Sequence, residues 1–391
     1  VTIFTTSSIN TQTVMLKTIA LECKIIFKNG GVVLILILAP IIYATLYSSC
    51  YAKQVLERVP IAIVDNSHSH SSREFISYLS ASPYLNPLYT ATDITEAKEL
   101  FYNRKIYGIV YIPKSYETDI LQCQQAVVSL YCDASYFLMY RQVFQGVVGV
   151  ISTFNREIGI EPAVDFRSHN LFNPYLGYGT FIMPAILVVI LQQTLLMGIG
   201  VVGGIWSRRR LYKGKSVVQT IASKAIVYGA IYAVIAAYIL TIHYRIFGYP
   251  TNGTIWTCIA IIFPYILSVI LLAITLSTLY KRPETAIICT LWTSIPILLL
   301  SGASLPPEAF PHWMHTIGRI IPSSSAVTAF IRAQSMGADI SDVGVEVIRL
   351  WALVAIYGTT SYLALKKRMS GRTTKSRTSN LSSYNDRHTL L

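Results

Sequence analysis

Apolar and polar residues alternate along this chain on the scale of whole segments. Six long stretches are almost free of charged side chains, whereas residues 50–176 have the mixed composition of a water-soluble domain. The stretches are residues 31–49, 177–206, 224–243, 255–280, 285–301 and 350–365. A helix rises about 1.5 Å per residue, so about 20 apolar residues cross a hydrocarbon core about 30 Å thick. The pattern predicts a polytopic α-helical membrane protein with six transmembrane helices.

The segment between the first and second stretches has a pattern of its own, in which short strand-like runs alternate with helical ones. The strand-like runs are residues 60–65, 88–91, 106–112 and 126–131. This alternation predicts a small α/β domain inserted between transmembrane helices 1 and 2. His68 and His70 lie near Asp65, but two histidines without a third ligand more often belong to a solvated loop. We therefore expect no metal site.

Composition agrees with a bilayer environment, and charge indicates the orientation. Hydrophobic residues make up 53% of the chain and charged residues 13%, whereas soluble domains are about one quarter charged. The net charge of +13 comes largely from clusters at alternate ends of the stretches. The clusters are Lys17 with Lys24 and Lys28, Arg208 to Lys215, Lys281 with Arg282, and Lys366 to Arg377. By the positive-inside rule, both termini are cytoplasmic and residues 50–176 are external, and nucleic acid is not needed to explain the charge.

Two further segments complete the predicted organisation. Residues 13–28 repeat apolar residues at helical spacing beside three lysines, which predicts an amphipathic helix on the inner membrane surface. The segment between the fifth and sixth stretches is too apolar for a free loop and too rich in proline for a span, so we expect short re-entrant helices over about 303–330. This segment is marked by Ser301, Gly302, Pro307, Pro311 and Pro322.

The chain is therefore expected to divide into five parts. They are a cytoplasmic amphipathic surface helix (1–30), transmembrane helix 1 (31–49), an external, periplasmic α/β domain (50–176), transmembrane helices 2–6 (177–366) and a basic cytoplasmic tail (367–391).

Two glycine motifs resemble nucleotide sites in sequence but not in context. Gly198, Gly200 and Gly203 satisfy G-x-G-x-x-G inside a membrane stretch, where Gly200 and Gly204 are better explained by close helix packing. Gly214-Lys215-Ser216 lacks the first glycine of a phosphate loop, since Arg209 stands there. The stretches also have no acidic side chain near their centres, which disfavours ion coupling. We expect energy to come from a partner.

Several short motifs follow the basic N-terminal helix in order. They are Ile63-Val64-Asp65-Asn66-Ser67, Ser72-Arg73, Ala81-Ser82-Pro83-Tyr84, Tyr107 to Pro113, Phe172-Asn173-Pro174, and Ser301-Gly302 with Pro307, Pro311 and Pro322. In this order they resemble the type-2 ABC transporter permease family, in particular bacterial exporters with a large external domain between the first two transmembrane helices. The resemblance covers nearly the whole chain.

The resemblance implies a function and a set of partners. The chain would be a permease subunit, not an enzyme, that moves a drug, lipid or polymer-like substrate outward across the bacterial inner membrane. A separate cytoplasmic ABC ATPase subunit would carry ATP and Mg, so that this chain binds no cofactor. A second permease subunit, identical or paralogous, would complete the pathway. The resemblance also allows a periplasmic adaptor and membrane lipid as partners.

Site residues follow from the resemblance and from polar groups within the stretches. The ATPase contact is assigned to Lys17, Glu22, Lys24, Arg208, Arg209, Arg210, Lys213 and Lys215. The translocation pathway is assigned to Gln192, Gln193, Thr293 and Pro296. Related permeases usually have an acidic coupling segment after the second helix, whereas this one is basic. Anchoring under the positive-inside rule explains its arginines equally well.

Another class of function remains open at this point. The chain could be a membrane-anchored receptor or secretion-assembly protein that uses residues 50–176 for binding, without transport. An integral membrane enzyme is disfavoured, because no paired carboxylates, His-Glu-x-x-His motif or nucleophile triad lies at one bilayer depth.

Overall fold

The computed structural model describes residues 2–52, 56–122, 124–132, 137–157, 177–209, 211–212, 215–303 and 310–388. The chain divides into two compact units, which are described separately. The helical unit comprises Val1–Ala52 and Tyr178–Leu391, and the inserted unit comprises Lys53–Gly177.

Helices dominate the helical unit, and both helices and strands build the inserted one. The helices are α1 (Thr2–Lys28), α2 (Gly30–Cys50), α3 (His70–Ala81), α4 (Ile94–Tyr102), α5 (Tyr116–Leu121), α6 (Phe137–Glu157), α7 (Tyr178–Arg208), α8 (Val217–Phe247), α9 (Ile255–Ser277), α10 (Pro283–Leu300), α11 (His312–Gly318), α12 (Pro322–Met336) and α13 (Gly344–His388). The strands are β1 (Val59–Asp65), β2 (Leu85–Thr90), β3 (Gly108–Ile112) and β4 (Ser129–Cys132).

Six helices of the described chain are long and apolar enough to cross a membrane. They are α2, α7, α8, α9, α10 and the Gly344–Ser370 part of α13. The prediction of a polytopic α-helical membrane protein is confirmed. The sixth predicted span, 350–365, is part of a much longer helix. This helix begins at Gly344 and continues through the basic residues after the span to His388.

The inserted unit contains a four-stranded sheet in the order β2-β1-β3-β4. β1 pairs in parallel with β2 and β3, and β4 pairs antiparallel with β3. Alternate side chains of β1 enter opposite layers: Ile61 and Ile63 pack with α3, α5 and α6, and Ala62 and Val64 belong to a second cluster with Ala97 of α4. Each predicted strand overlaps an observed one, and the two central strands, β1 and β3, are buried along most of their length.

A pair of serines caps the start of α3. Ser69 Oγ accepts a hydrogen bond from the backbone N–H of Ser72, and Ser72 Oγ accepts one from the N–H of Ser69. Asp65 holds the preceding turn, because Oδ1 accepts from the N–H groups of Ser67 and His68 and Oδ2 from Ser72 Oγ. Within the described ranges, no group of three His, Cys, Asp or Glu side chains could hold a metal ion.

α7 is the central helix of the helical unit, and glycines let its neighbours approach. A Cβ at Gly200 would lie 2.9 Å from Ala286 Cβ, and one at Gly204 would lie 2.6 Å from Pro283 N. Both neighbours belong to the start of α10, so the predicted G-x-x-x-G packing face is confirmed. Gly198 faces Leu36 of α2. The G-x-G-x-x-G motif therefore lies within a packed helix and forms no phosphate loop.

Two short helices, α11 and α12, occupy the proline-rich segment between α10 and α13. Ser301 is buried and Gly302 has a φ of +81°, which favours glycine. Pro311 directly precedes α11, and Pro322 is the first residue of α12, where its missing N–H costs no helical hydrogen bond. Pro307 lies outside the described residues. The depth of this segment in a membrane stays a prediction.

Candidate functional site

The N-terminal helix α1 packs one face against α8 and leaves the other exposed. Thr18, Glu22 and Ile26 recur at helical spacing on the buried face. The exposed face carries Leu16, Lys17, Lys24, Phe27 and Lys28. α1 is thus fixed to the span bundle while presenting a stripe of lysines and two large apolar side chains away from it.

A buried ion pair joins α1 to α8. Lys224 Nζ contacts Glu22 Oε1, and the two side chains are 1% and 0% exposed. The Tyr228 hydroxyl donates a hydrogen bond of 2.6 Å to the same carboxylate oxygen. Burying two charges is costly unless they are paired and hydrogen-bonded, and both conditions hold for Glu22 Oε1. We call Thr18, Glu22, Trp206, Lys215, Lys224 and Tyr228 the α1 junction.

Trp206 and Lys215 extend the α1 junction to the end of α7. Lys224 Nζ lies 4.4 Å and Lys215 Nζ 5.5 Å from the centre of the Trp206 ring, within the range of cation–π contacts. Lys215 Nζ also donates a 2.9 Å hydrogen bond to Thr18 Oγ1. Burial lowers the pKa of Lys215, the Glu22 carboxylate opposes this effect, and the charge of Lys224 adds to it. Three helices therefore meet in one polar cluster.

The residues expected to contact an ATPase separate into two groups. Lys17, Lys24, Arg208 and Arg209 are exposed. Glu22 and Lys215 differ from the expectation, because both make contacts within the chain: Glu22 is wholly buried against Lys224, and Lys215 contacts Thr18 and Trp206. An ATPase could reach Glu22 only by breaking a buried ion pair. Arg210 and Lys213 lie outside the described residues.

The residues expected to line a pathway have different surroundings within this chain. Gln192 is buried, and its Oε1 accepts a 3.0 Å hydrogen bond from the backbone N–H of Ser323 at the start of α12. Gln193 is half-buried, and neither of its amide atoms has a hydrogen-bond partner in the described part of the chain. Thr293 and Pro296 lie on the exposed face of α10.

Several side chains hold the segment around α12 in place. Gln192 satisfies one backbone N–H at the start of α12, where helical N–H groups have no partner within the helix. Ser324 Oγ donates to the Leu300 carbonyl at 2.9 Å, and the Tyr357 hydroxyl donates to the Ile320 carbonyl at 2.5 Å. Irregular backbone among apolar helices is thereby hydrogen-bonded to α7, α10 and α13.

Sequence reasoning missed Trp206, Lys224 and Tyr228. Lys224 lies at the edge of the third predicted span, and its partner is 202 residues away in sequence. The available signal was a lone lysine followed by apolar residues for about 20 positions, together with Glu22, a carboxylate on an apolar helix face. A buried charge needs a partner of opposite sign, and the Lys224 ammonium and the Glu22 carboxylate can each supply the other's.

Six apolar helices with buried polar contacts between them define a multi-pass membrane protein. The chain matches the family model described as "ABC-2 family transporter protein" over residues 31–363. It belongs to this family and is a membrane subunit of an ABC transporter. Membership implies partnership with an ABC ATPase subunit. No curated protein matches the chain.

Proposed function

We propose that this chain is the permease subunit of an ATP-driven exporter of the bacterial inner membrane. It moves a drug, lipid or polymer-like substrate outward, and ATP and Mg bind to a separate ATPase subunit. Family membership supports the transporter role. The observation that carries the coupling to an ATPase is the α1 junction, where a buried ion pair joins a helix with an exposed basic face to the spans.

The α1 junction provides a mechanical link between a docked partner and the spans. Lys17, Lys24 and Lys28 project from the face of α1 opposite Glu22 and form the docking stripe. A force on α1 acts through Glu22 on Lys224, in the third turn of α8, and through Thr18 on Lys215. α1 and α8 therefore move together unless the buried ion pair breaks.

The distribution of charge supports an orientation. The basic clusters at Lys17 to Lys28, Arg208 to Lys215 and Lys281 with Arg282 all adjoin span ends on one side if each of the six helices crosses once. Both termini are then cytoplasmic, and the inserted unit is periplasmic. A periplasmic adaptor would meet the inserted unit.

The exposed face of α10 supports a second permease subunit. Most side chains of α10 are not buried within the chain, and Trp292 and Ile295 are 81% and 68% exposed. Thr293 and Pro296 lie on this exposed surface. We place the translocation pathway between two permease subunits, lined by α7 and α10, with Gln193, Thr293 and Pro296 in its wall.

Recovery of an ATPase with the full chain tests this proposal. The chain is purified from native membranes in mild detergent, and co-purifying proteins are quantified by mass spectrometry. We expect an ABC ATPase in about equal amount. The double variant K17E/K24E should lower its recovery severalfold, because it reverses the charge of the docking stripe without touching the α1 junction.

The matched control is K98E/K114E, which makes the same charge change on exposed lysines of the inserted unit. It should leave ATPase recovery unchanged. Wild-type chain that recovers no ABC ATPase contradicts the proposal and favours the receptor or secretion-assembly function. If K17E/K24E recovers as much ATPase as the wild type, the docking stripe is contradicted but the transporter function is not.

A further inference from the structure

A groove of about 680 Å³ lies between the start of α2, the end of α7 and the start of α10. Its rim is polar and its inner wall is apolar. The rim residues are Asn29, Gly31, Arg208, Arg209, Pro283 and Glu284, and the wall residues are Ile35, Val201, Ile205 and Ile287. Its volume is within the range of about 300–1,000 Å³ that ligand sites occupy.

The depth of the groove follows from the positions of its residues along the helices. Asn29, Arg208 and Pro283 each lie at or next to the end of a candidate span, so the rim is at one end of the bundle. Val201 precedes Arg208 by seven residues, which is about 10 Å along the helix axis. The wall therefore extends from the level of lipid headgroups into the hydrocarbon.

The rim carries an excess of positive charge. A second cavity of about 430 Å³ is lined by Arg208, Lys281, Arg282 and Glu284. Together the two cavities present four cationic side chains and one carboxylate. Neither Arg208 nor Arg209 forms an ion pair with another described residue. The start of α10 adds the positive end of a helix dipole to the same rim.

We propose that this groove binds an anionic phospholipid of the leaflet at that end of the bundle. The phosphate and headgroup would contact Arg208 and Arg209, and one acyl chain would lie along Ile35, Val201 and Ile205. Basic pockets between membrane helices bind anionic headgroups in this way. A free phosphate would contact the arginines but not the apolar wall, and a zwitterionic lipid would leave the excess charge uncompensated.

This site accounts for two arginines that the sequence assigned to ATPase docking. Their side chains line a cavity between spans. An acyl chain can contact its apolar wall at hydrocarbon depth, which a docked soluble protein would not reach. The lipid site does not depend on export or on the ATPase. Lipid bound there would contact α2, α7 and α10 at once. Two of these helices, α7 and α10, line the proposed pathway.

Native mass spectrometry of the full chain in detergent tests the site. The protein is titrated separately with palmitoyl-oleoyl-phosphatidylglycerol and with the corresponding phosphatidylcholine. We expect the wild type to bind the first phosphatidylglycerol at least tenfold more tightly than phosphatidylcholine. The variant R208Q/R209Q should lose this preference. The variant I287W places a larger side chain in the apolar part of the groove and keeps both arginines. It should weaken the binding of both lipids.

Controls separate this site from general charge effects and from other ligands. K366Q/K367Q removes two charges at the end of the α13 span that do not line the groove, and it should keep the tenfold preference. An unchanged preference in R208Q/R209Q, or an equal loss in K366Q/K367Q, overturns the proposal. So does displacement of the lipid by millimolar inorganic phosphate. Loss of ATPase recovery in R208Q/R209Q with unchanged lipid binding would assign the arginines to the protein partner. If R208Q/R209Q does not fold, I287W and the single arginine variants decide.

Discussion

At the scale of single residues, the buried polar groups show which contacts hold this membrane protein together. Glu22 and Lys224 neutralise each other at the α1 junction. The Gln192 side chain accepts a hydrogen bond from the backbone N–H of Ser323 at the start of α12. The sequence places these residues in apolar segments but does not pair them, because the partners are far apart along the chain. Pairing follows from the rule that a buried charge or amide needs a partner, once the helices that contact each other are known.

Breaking the ion pair should be costly, and removing both charges should be much less so. K224M leaves the Glu22 carboxylate buried without a cation, and we expect it to cost about 3–5 kcal/mol. E22Q/K224M removes both charges and should recover most of that loss. Thermal unfolding in detergent measures both variants. Equal loss in the single and double variants would show that Glu22 and Lys224 do not stabilise each other.

The two adjacent glutamines should respond differently to the same substitution. Q192L leaves the buried N–H of Ser323 without its acceptor, at a cost of about 1–3 kcal/mol. Q193L removes an amide without a partner in the described chain, so stability should be unchanged or higher. Thermal unfolding of the two variants provides the comparison. Greater destabilisation by Q193L would contradict the assigned contacts.

At the scale of elements, helix positions were predictable and their packing was not. The apolar pattern predicts α7 well, because its charge-free stretch ends at the basic cluster that begins with Arg208. It does not predict that α13 continues beyond the sixth span. Arg368, assigned by sequence to a basic tail, donates hydrogen bonds to the carbonyls of Ser277 and Tyr280 at 2.7 and 2.8 Å. Only the tertiary arrangement shows that this arginine caps the end of α9.

Close approach of α7 and α10 should make Gly204 intolerant of a larger residue. In G204A the new Cβ would lie within 2.8 Å of backbone atoms of Arg282 and Pro283, which cannot rotate away. We expect destabilisation of about 1–3 kcal/mol, measured by thermal unfolding. G229A is the matched control, since beyond the adjoining backbone of its own helix no described atom lies within 4 Å of the new Cβ, and alanine favours the helix. A G204A protein as stable as G229A would contradict the packing.

At the scale of the whole molecule, the sequence predicted the class of protein, and the structure adds a link between its parts. Six charge-poor stretches and the order of short motifs were sufficient for the family. They could not show that α1 is fixed to the bundle, because this depends on Glu22 meeting a lysine 202 residues later. They also could not show that Arg208 and Arg209 line a groove, because its wall comes from three separate helices.

The orientation of the chain can be tested with single cysteines in a background in which all six native cysteines are replaced. Tyr102 of the inserted unit is 84% exposed, and Lys17 is exposed on α1. A membrane-impermeant maleimide added to intact spheroplasts should label Y102C and leave K17C unlabelled until the membrane is opened. The reverse pattern would contradict the positive-inside orientation.

In the proposed mechanism, ATP bound to a partner subunit moves these spans and opens a pathway lined by α7 and α10. The most direct measurement is the rate at which a water-soluble maleimide labels T293C, in the same cysteine-free background, in inverted membrane vesicles that contain the complete transporter. We predict that the rate differs severalfold between vesicles without nucleotide and vesicles trapped with ATP and vanadate, and that inactivating the ATPase abolishes the difference. Identical labelling rates in the two nucleotide states would contradict this mechanism.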